Sequence, residues 1–436
     1  MLKVAKFGGS SMADEKQFAK VRQIVQSDPA RRVVVVSAAG KRDRKDHKLT
    51  DLLYLCYAHL QYGVSCDSVF QMISDRYTGI RDALGLKTDI EGELSALREK
   101  MDDGISQDEL VSRGEYFSAK LMADYLGFDF LDAKLWLKFK YDGSIDTDAS
   151  YEALQKLAQG RSVVIPGFYG VTPDGHIRTL TRGGSDITGA LAAAALDADV
   201  YENWTDVSGI LMADPRIVKD PRPIAKVTYA ELRELAFMGA SVMHEDSIQP
   251  VKDKGIALNI RNTNRPEDPG TLIVGDADDR DGGERFITGI AGRRNFTIIT
   301  VTKRNMNANF TLCQALEIMD RYHAPVEHIT LGLDSFALVS GSAAMGDALY
   351  DVLADLRKTC RPDDVRVQDE IALVAAVGRK MSSRPGISGR LFKALGDAGV
   401  NIRTIAQGAD ELAIVVGVEN ADFENAIRVL YERFAG

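Results

Sequence analysis

The chain has 436 residues, of which 45% are hydrophobic and 27% are charged, so it is long enough for two or three globular domains. A formal net charge of -9 at pH 7 argues against a nucleic-acid or anionic-membrane partner, which requires clustered Lys and Arg. Because the four cysteines form no CxxC or zinc pattern and no apolar run reaches the roughly 20 residues that span a bilayer, we expect a cytoplasmic protein.

Short apolar runs bounded by glycines and small residues recur through the first two thirds of the chain. They lie at 2–7, 32–40, 162–170, 198–209 and 256–262. Helical patterns separate them, among them residues 14–26 and the alanine-rich residues 185–198. This alternation predicts an α/β domain whose helices flank a central, mostly parallel sheet.

Two stretches of different composition mark the organisation of this part of the chain. Residues 51–128 carry almost no strand signal but several amphipathic helical patterns, which predict a helical lobe beside the sheet. Residues 262–286 are rich in Pro, Gly, Asp and Asn, as domain-connecting loops are. We therefore expect a first domain at 1–290.

Beyond this boundary, two segments share one pattern of strands and helices and are spaced by roughly 75 residues, as an internal repeat would be. Each fits the β-α-β-β-α-β order of a ferredoxin-like module. The sequence therefore predicts two such modules in tandem, at 291–365 and 366–436. Small paired modules of this kind usually bind a ligand rather than catalyse a reaction.

The first strand carries Lys6 and ends in Gly8 and Gly9, followed by Ser10. A Gly-Gly pair buries no side chain and costs conformational entropy, so core packing does not explain it. Glycines let backbone amides approach a phosphate group, and Lys6 would add a point charge. The stretch matches neither the Walker A nor the GxGxxG motif, and a plain strand-to-helix turn is the alternative interpretation.

A second glycine cluster, RGGSD at 182–186, directly precedes the alanine-rich helix. Exposed amides, the positive end of the helix and the Arg182 guanidinium would meet there, which favours an anion site. The alternative is that Ser185 or Asp186 caps the helix, a role compatible with binding.

Eight short motifs occur in the order found in aspartate kinases of the amino acid kinase superfamily. They are KFGGSS at 6–11, VVVSA at 34–38, LTDLL at 49–53, VSRGE at 111–115, GFYG at 167–170, RGGSD at 182–186, WTDVSGILMADPR at 204–216 and NTNRPEDPGT at 262–271. The tail, with RPGISGRLFKALGDAGVNI at 384–402, is similar to the ACT modules that regulate those enzymes. The resemblance covers nearly the whole chain and implies an amino acid kinase fold followed by two ferredoxin-like ACT modules.

The resemblance implies ATP-dependent phosphorylation of the β-carboxylate of L-aspartate, the first step of lysine, threonine and methionine biosynthesis. A carboxylate is already a nucleophile at neutral pH, so the site needs cations and amides rather than a general base. Lys6 would hold the β- and γ-phosphates, and Asp186 would orient Lys6 or contact the substrate ammonium. Mg²⁺ would be bound largely through nucleotide and water, without a cage of protein ligands.

The family also implies roles for other positions. Arg182 suits the α-carboxylate of aspartate, and Glu115 suits its α-ammonium. Further residues near the substrate would be Ser37, Ala38, Thr50, Arg113 and Ser185. The nucleotide would contact Gly8, Gly9, Ser10, Thr205, Asp206, Asp214 and Arg216. Without the family, Glu115 is more typical of a solvated surface acid, and Asp214-Pro215-Arg216 fits a plain turn equally well.

One segment departs from the family. In FMGASVMHEDSIQP, Ser241 stands where the family commonly has a phosphate-binding lysine, and Glu245 replaces a proline. Losing a cation at the phosphates weakens binding or transfer unless Lys219, Lys252 or Lys254 supplies the charge. We expect activity to survive, because the other site motifs are present. The alternatives are a catalytically weak or inactive amino-acid sensor of the same fold, or a superfamily kinase with another acceptor.

Tandem ACT modules imply feedback inhibition by an end-product amino acid. Lysine is favoured over threonine, because the long helical lobe and the lack of a dehydrogenase domain resemble monofunctional lysine-sensitive enzymes. Candidate effector contacts are Met306, Asn309, Glu327 and Asp334, where a carboxylate would meet the lysine ammonium. Pairing of ACT modules across chains leads us to expect a homodimer or homotetramer.

Overall fold

The computed structural model describes residues 1–181, 183–240, 243, 247–275, 286–304, 308–379, 381, 385–408 and 410–435, with only the backbone at 308–310. The chain forms two compact units. The first comprises Met1–Ile210, Ala225–Tyr229 and Val242–Arg280, and the second comprises Leu211–Ile224, Ala230–Ser241 and Asp281–Gly436. Within the described ranges, no helix has the length and apolar character needed to cross a bilayer.

The first unit is built on an eight-stranded sheet and a separate two-stranded ribbon. Its strands are β1 (Lys3–Phe7), β2 (Arg31–Val36), β3 (Asp129–Phe130), β4 (Val163–Pro166), β5 (Tyr169–Val171), β6 (Ile177–Thr179), β7 (Val200–Thr205), β8 (Lys226–Thr228), β9 (Ala257–Asn262) and β10 (Thr271–Val274). The sheet order is β3-β4-β2-β1-β7-β9-β10-β8, while β5 and β6 form the ribbon. All neighbours in the large sheet are parallel except β9 and β10.

Helices cover this sheet and form the lobe beside it. In the first unit they are α1 (Glu15–Gln26), α2 (Leu49–Gln61), α3 (Asp67–Leu84), α4 (Ile90–Asp103), α5 (Gln107–Leu126), α6 (Thr147–Ala158) and α7 (Gly184–Ala195); α8 (Tyr229–Phe237) begins in this unit, and α9 (Gln249–Asp253) follows. The stretch predicted as a helical lobe thus carries four helices, α2 to α5. The Ser106 side chain accepts from the Glu109 amide to start α5, and Gly127 in the left-handed conformation ends it.

Buried aliphatic strands place the ends of β1, β2 and β7 side by side. Residues 33–36 of β2 are all valines and are buried, as expected for a parallel sheet covered on both faces. Phe7 lies opposite both Val36 and Trp204, so the three strands end at the same edge. The loops that follow these strands therefore meet, which is where open α/β sheets usually bind ligands.

The second unit contains a six-stranded antiparallel sheet. Its strands are β11 (Gly289–Thr302), β12 (Val326–Leu331), β13 (Ser335–Gly341), β14 (Asp364–Val377), β15 (Thr404–Gln407) and β16 (Ala413–Glu419), and its further helices are α10 (Ala308–Arg321), α11 (Ser342–Met345), α12 (Leu349–Cys360), α13 (Ile387–Asp397) and α14 (Phe423–Ala435). The order is β12-β13-β11-β14-β16-β15. The predicted fold class, an α/β domain followed by ferredoxin-like α+β modules, is confirmed.

The two modules of this unit share their two longest strands. Residues 296–302 of β11 pair with 364–371 of β14 in the first module, and residues 289–293 pair with 373–377 in the second. The second module therefore takes its fourth strand from a segment that precedes the first module in the sequence. Simple repetition along the chain does not predict this exchange. The domain limits given above stay predictions.

Candidate functional site

A cavity of about 570 Å³ lies in the first unit, where β1, β2 and β7 end. Residues predicted for the site from six separate stretches of sequence line it. They are Lys6, Gly9, Ser10, Ser37, Ala38, Thr50, Glu115, Ser185, Asp186 and Asp206. The fold thus brings together both glycine clusters, the start of α2 and the middle of α5.

A buried ion pair between Lys6 and Asp186 joins the two glycine clusters. The Lys6 Nζ atom lies 2.5 Å from Oδ1 of Asp186, and the lysine side chain is 8% exposed. Asn203 donates its Nδ2 hydrogen to the same carboxylate oxygen at 3.1 Å. Asp186 therefore fixes the position of the ammonium at the cavity wall and is not available to cap α7, whose N-cap residue is Gly183.

Asn203 was missed by the sequence analysis, although a signal for it is present. It lies in β7 opposite Lys6 of β1, so both side chains leave the sheet on the same face. A buried amide within a strand needs a polar partner. The asparagine in the run VYENWT therefore indicated a polar partner in the sheet.

The loops after β1 and β2 cross in direct contact at two glycines. The Gly40 amide donates to the Gly9 carbonyl at 2.8 Å. A Cβ atom on Gly40 would lie 2.6 Å from the carbonyl carbon of Gly9, so only glycine fits there. Gly8, predicted as a phosphate donor, instead gives its amide hydrogen to the Trp204 carbonyl at 3.0 Å, which leaves that N–H engaged in the sheet.

Glu115 is a buried carboxylate beside the same loops. It is 5% exposed, so the alternative interpretation as a solvated surface acid is wrong. Within the described chain its Oε2 atom has no hydrogen-bond partner. Burial raises the pKa of Glu115 to about 8, although the Ala38 backbone and the Lys6 charge oppose the shift. An unpaired carboxylate of this kind is suited to a ligand cation, whose charge would stabilise its ionised form.

The helix that carries Glu115 approaches the β2 loop closely because of a glycine. A Cβ atom on Gly114 would lie 2.8 Å from the Cβ atom of Ala38. The Tyr77 hydroxyl donates to the Gly114 carbonyl at 2.6 Å and fixes this turn of α5. The glycine of the VSRGE motif therefore has a packing role that places the neighbouring acid.

Other predicted substrate and nucleotide residues lie outside the cavity lining or outside the described residues. Arg113 turns away: its Nε atom donates to the Glu109 carbonyl at 3.2 Å and its guanidinium lies 4.8 Å from the Tyr116 ring centre. Thr205 donates to the side chain of its neighbour Asp206 at 3.2 Å. Arg182 falls outside the described residues.

Two of the predicted nucleotide residues belong to the second unit. Asp214 and Arg216 form an ion pair there, with Nη2 and Oδ2 2.6 Å apart. The backbone N–H of Arg216 also donates to Asp214 at 2.8 Å, as in the turn that was the alternative interpretation. Their predicted contact with a nucleotide stays a prediction.

Of the three lysines suggested as replacements for the family lysine, Lys254 is already paired elsewhere. Its Nζ atom lies 2.8 Å from Oδ1 of Asp197. Asp197 follows the far end of α7, about 18 Å along the helix from the cavity. The suggestion for Lys254 is therefore wrong, because its ammonium lies at the opposite end of this helix. Ser241 and Glu245 themselves lie outside the described residues.

Two lysines that the sequence analysis did not select do line the cavity, namely Lys41 and Lys48. Both belong to the basic segment KRDRKDHK between β2 and α2. The signal was the density of positive charge directly after the glycine of the β2 loop. Together with Lys6 they are the lysines of the described cavity lining.

The predicted effector residues lie in the second unit. Glu327 of β12 pairs with Arg293 of β11, and the Glu327 side chain is 12% exposed. The Arg293 guanidinium also lies 5.2 Å from the ring centre of Phe237, in the last turn of α8. Asp334 is exposed in the turn between β12 and β13.

Two further predicted effector residues cannot be placed in the same way. Met306 lies outside the described residues, and for Asn309 only the backbone, within α10, is described. Their contacts with an effector stay predictions.

No group of three or more His, Cys, Asp or Glu side chains suited to a metal ion occurs among the described residues. The carboxylates of Asp186 and Asp206 nevertheless line the cavity. Such a sparse set of hard oxygen ligands fits Mg²⁺ that arrives with phosphates and keeps several waters.

Comparison with known proteins gives a consistent result over the whole chain. Residues 1–262 match the model of the amino acid kinase family, and residues 374–434 match an ACT domain. Aspartokinase 3 of Bacillus subtilis (strain 168) is 35% identical over 450 residues, which cover 99% of this chain and 98% of that protein.

Solved structures agree with these matches. A crystal structure of Clostridium acetobutylicum aspartate kinase, described as an allosteric enzyme, is 44% identical, with a TM-score of 0.92 and 99% of each chain covered. Escherichia coli aspartokinase III matches over 100% of both chains in two complexes. The complex with aspartate and ADP is 28% identical with a TM-score of 0.72, and the complex with lysine and aspartate is 29% identical with a TM-score of 0.74.

Proposed function

The chain belongs to the aspartate kinases of the amino acid kinase family, and we propose that it transfers the γ-phosphoryl group of ATP to the β-carboxylate of L-aspartate. The product is 4-phospho-L-aspartate. The observation that carries the proposal is a single cavity holding both the fixed ammonium of Lys6 and the unpaired, buried carboxylate of Glu115. The Lys6 ammonium suits phosphates, and the Glu115 carboxylate suits the α-ammonium of an amino acid.

The chemistry needs alignment of two anions more than it needs acid–base groups. Lys6, held by Asp186, would bind β- and γ-phosphate oxygens and balance the charge that develops during transfer. Ser10 and the amide of Gly9 would donate hydrogen bonds to the same phosphates. The start of α7, at Gly184 and Ser185, adds the positive end of a helix to the cavity wall.

Aspartate would be oriented by its α-groups. Glu115 would bind the α-ammonium, and Arg182, by its match to the family, would bind the α-carboxylate. The β-carboxylate would then face the β2 loop, where Ser37 and Ala38 lie, with Thr50 at the start of α2. Such positioning is the main source of catalysis when the nucleophile is already ionised.

ATP is the proposed phosphoryl donor, since a related enzyme was crystallised with ADP. Mg²⁺ would be held by the phosphates, water and the carboxylates of Asp186 or Asp206. When bound, it neutralises phosphate charge. The alternative of an inactive amino-acid sensor depended on the serine at position 241, and the retained Lys6, Asp186 and Glu115 argue against it.

We propose that lysine is the feedback inhibitor and acts through the C-terminal modules. Support comes from the related enzyme crystallised with lysine and from Glu327, a largely buried carboxylate in the first module. A homodimer or homotetramer formed through these modules remains part of the proposal.

The test is a coupled assay of ADP release with ATP and Mg²⁺, with and without L-aspartate. We expect release that depends on aspartate and falls when lysine, but not threonine, is added. Release that is independent of aspartate would contradict the proposed acceptor. Inhibition by threonine alone would contradict the proposed effector and leave the kinase activity standing.

Replacing Glu327 by glutamine is expected to raise the lysine concentration for half-inhibition by about tenfold or more, since a charged hydrogen bond contributes roughly 1.5–3 kcal/mol. The matched control is Glu317→Gln, an exposed acid on the neighbouring helix α10. The measurement is a lysine titration of aspartate-dependent ADP release. Equal half-inhibition for both variants and the unmodified chain would remove Glu327 from the effector site.

A further inference from the structure

Lys6 alone does not neutralise the negative charge that the proposed reaction brings to the cavity. The described lining holds three carboxylates, those of Glu115, Asp186 and Asp206. ATP and aspartate add further negative charge, and the ammonium of Lys6 is already paired with Asp186. Phosphoryl transfer is catalysed mainly by neutralising such charge, so cations in addition to Lys6, Arg182 and Mg²⁺ would strengthen the binding of the nucleotide phosphates.

Lys41 and Lys48 are placed to supply them. Both line the cavity, and in the part of the chain that the structure describes neither is in an ion pair. The two ends of their segment are fixed at the cavity. The Gly40 amide donates a hydrogen bond to the Gly9 carbonyl, and the Leu49 amide donates one to the Ala39 carbonyl at 3.2 Å. The segment is therefore a closed loop whose first and last lysines face the same space.

Arg76, a buried arginine of α3, fixes the shape of this loop. It is 7% exposed, and its Nη1 atom donates to the Gly40 carbonyl at 2.9 Å and the Ala13 carbonyl at 3.2 Å. Its Nη2 atom lies 2.6 Å from Oδ2 of Asp46, which also accepts from Arg42 Nε at 2.9 Å. The Arg76 guanidinium thus links Ala13, which follows the first glycine loop, to Gly40 and Asp46 in the segment that carries the two lysines.

We propose that Lys41 and Lys48 bind the phosphates of the nucleotide, and that Arg76 is a positioning residue that holds their loop through Gly40 and Asp46. The inference rests on the proposed function, because it assigns further residues to the same phosphoryl-transfer site. It also gives a source for the positive charge that the family places at position 241.

Lys41→Met and Lys48→Met in the full chain test the two lysines, with Lys45→Met as the matched control. Lys45 lies in the same loop, is exposed and does not line the cavity. We expect each cavity variant to lower kcat/KM for ATP and to weaken ADP binding, measured by calorimetry, by about tenfold or more. The control should stay within about twofold, as surface charges do.

The two readouts separate this inference from the proposed function. If the unmodified chain shows no aspartate-dependent turnover, the proposed function fails, and ADP binding still tests the lysines. If ADP affinity and kcat/KM of Lys41→Met and Lys48→Met both equal those of Lys45→Met, the inference is overturned while the kinase activity stands.

The positioning role of Arg76 is tested by a double-mutant cycle. Arg76→Lys keeps a positive charge but loses the fork that joins Gly40, Ala13 and Asp46. In that background we expect Lys41→Met to weaken ADP binding much less than it does in the unmodified chain. A purely structural arginine would lower the melting temperature and leave the effect of Lys41→Met on ADP affinity unchanged, which would contradict positioning.

Discussion

Replacement of Lys6 by methionine is expected to lower kcat for aspartate phosphorylation by about 100- to 1000-fold. This is the usual loss when one preorganised donor to a transition-state anion is removed. Here the donor is buried and fixed by Asp186 at 2.5 Å, so neither water nor a neighbouring side chain substitutes for it easily. The measurement is the rate of ADP release at saturating ATP and aspartate.

The control for this prediction is Lys16→Met, since Lys16 is an exposed lysine of α1 outside the cavity lining. Circular dichroism of Lys6→Met is needed as well, because the substitution leaves Asp186 with only the neutral Asn203 as its described side-chain partner. A folded Lys6→Met protein whose kcat lies within tenfold of the unmodified value would remove Lys6 from the catalytic role.

Replacing Glu115 by glutamine is expected to weaken aspartate use and to stabilise the fold at the same time. The KM for aspartate should rise by about ten- to a hundredfold, because a charged contact with the α-ammonium is lost. The KM for ATP should change much less. Glutamine has nearly the same shape, so the comparison isolates the charge of the carboxylate.

The stability effect follows from the raised pKa of Glu115, about 8 in the folded chain against an ordinary value of 4.5. Between these values the folded state binds more protons than the unfolded state, so the free energy of unfolding falls as pH rises. The advantage of Glu115→Gln over the unmodified chain should therefore grow by about 1.4 kcal/mol per pH unit, or about 3 kcal/mol from pH 5 to pH 7.

Urea unfolding of both proteins at pH 5, 6, 7 and 8 measures this difference. The matched control is Glu99→Gln, an exposed acid of α4, for which we expect no comparable slope. A difference that stays constant from pH 5 to pH 8 would contradict the raised pKa of Glu115.

Under the proposed role of Glu115, its raised pKa also makes aspartate binding by the unmodified enzyme depend on pH. An ammonium binds the ionised carboxylate, and below pH 8 most of the Glu115 carboxyl groups of the ligand-free enzyme are protonated. The KM for aspartate should therefore fall by up to about tenfold per unit as pH rises from 6 towards 8. In Glu115→Gln this dependence should disappear.

Much of the fold and part of the site follow from the sequence, because they depend on local pattern. The valines of β2 and the alanines of α7 indicate a strand and a helix from the local sequence alone. Lys6 and Asp186 stand beside glycine pairs, which are unusual because glycine buries no side chain and costs conformational entropy. Their meeting follows from the fold: both clusters lie where strands of a parallel sheet end.

The residues that were missed depend on contacts between distant parts of the chain. Arg76 is buried against Gly40 and Asp46, and nothing in the sequence around α3 indicates that partner loop. Asn203 faces Lys6 only because β1 and β7 are in that register. Gly40 requires glycine because another backbone crosses it, which is a property of two loops together.

The shared strands of the second unit set a rule for engineering its regulation. Because residues 289–293 complete the sheet that residues 373–377 begin, no single cut in the chain separates one module from the other. A chimaera joined between the two modules would leave one of them with an open edge, which invites aggregation. To exchange regulatory specificity with another enzyme, residues 289–435 should therefore be transferred together as one segment.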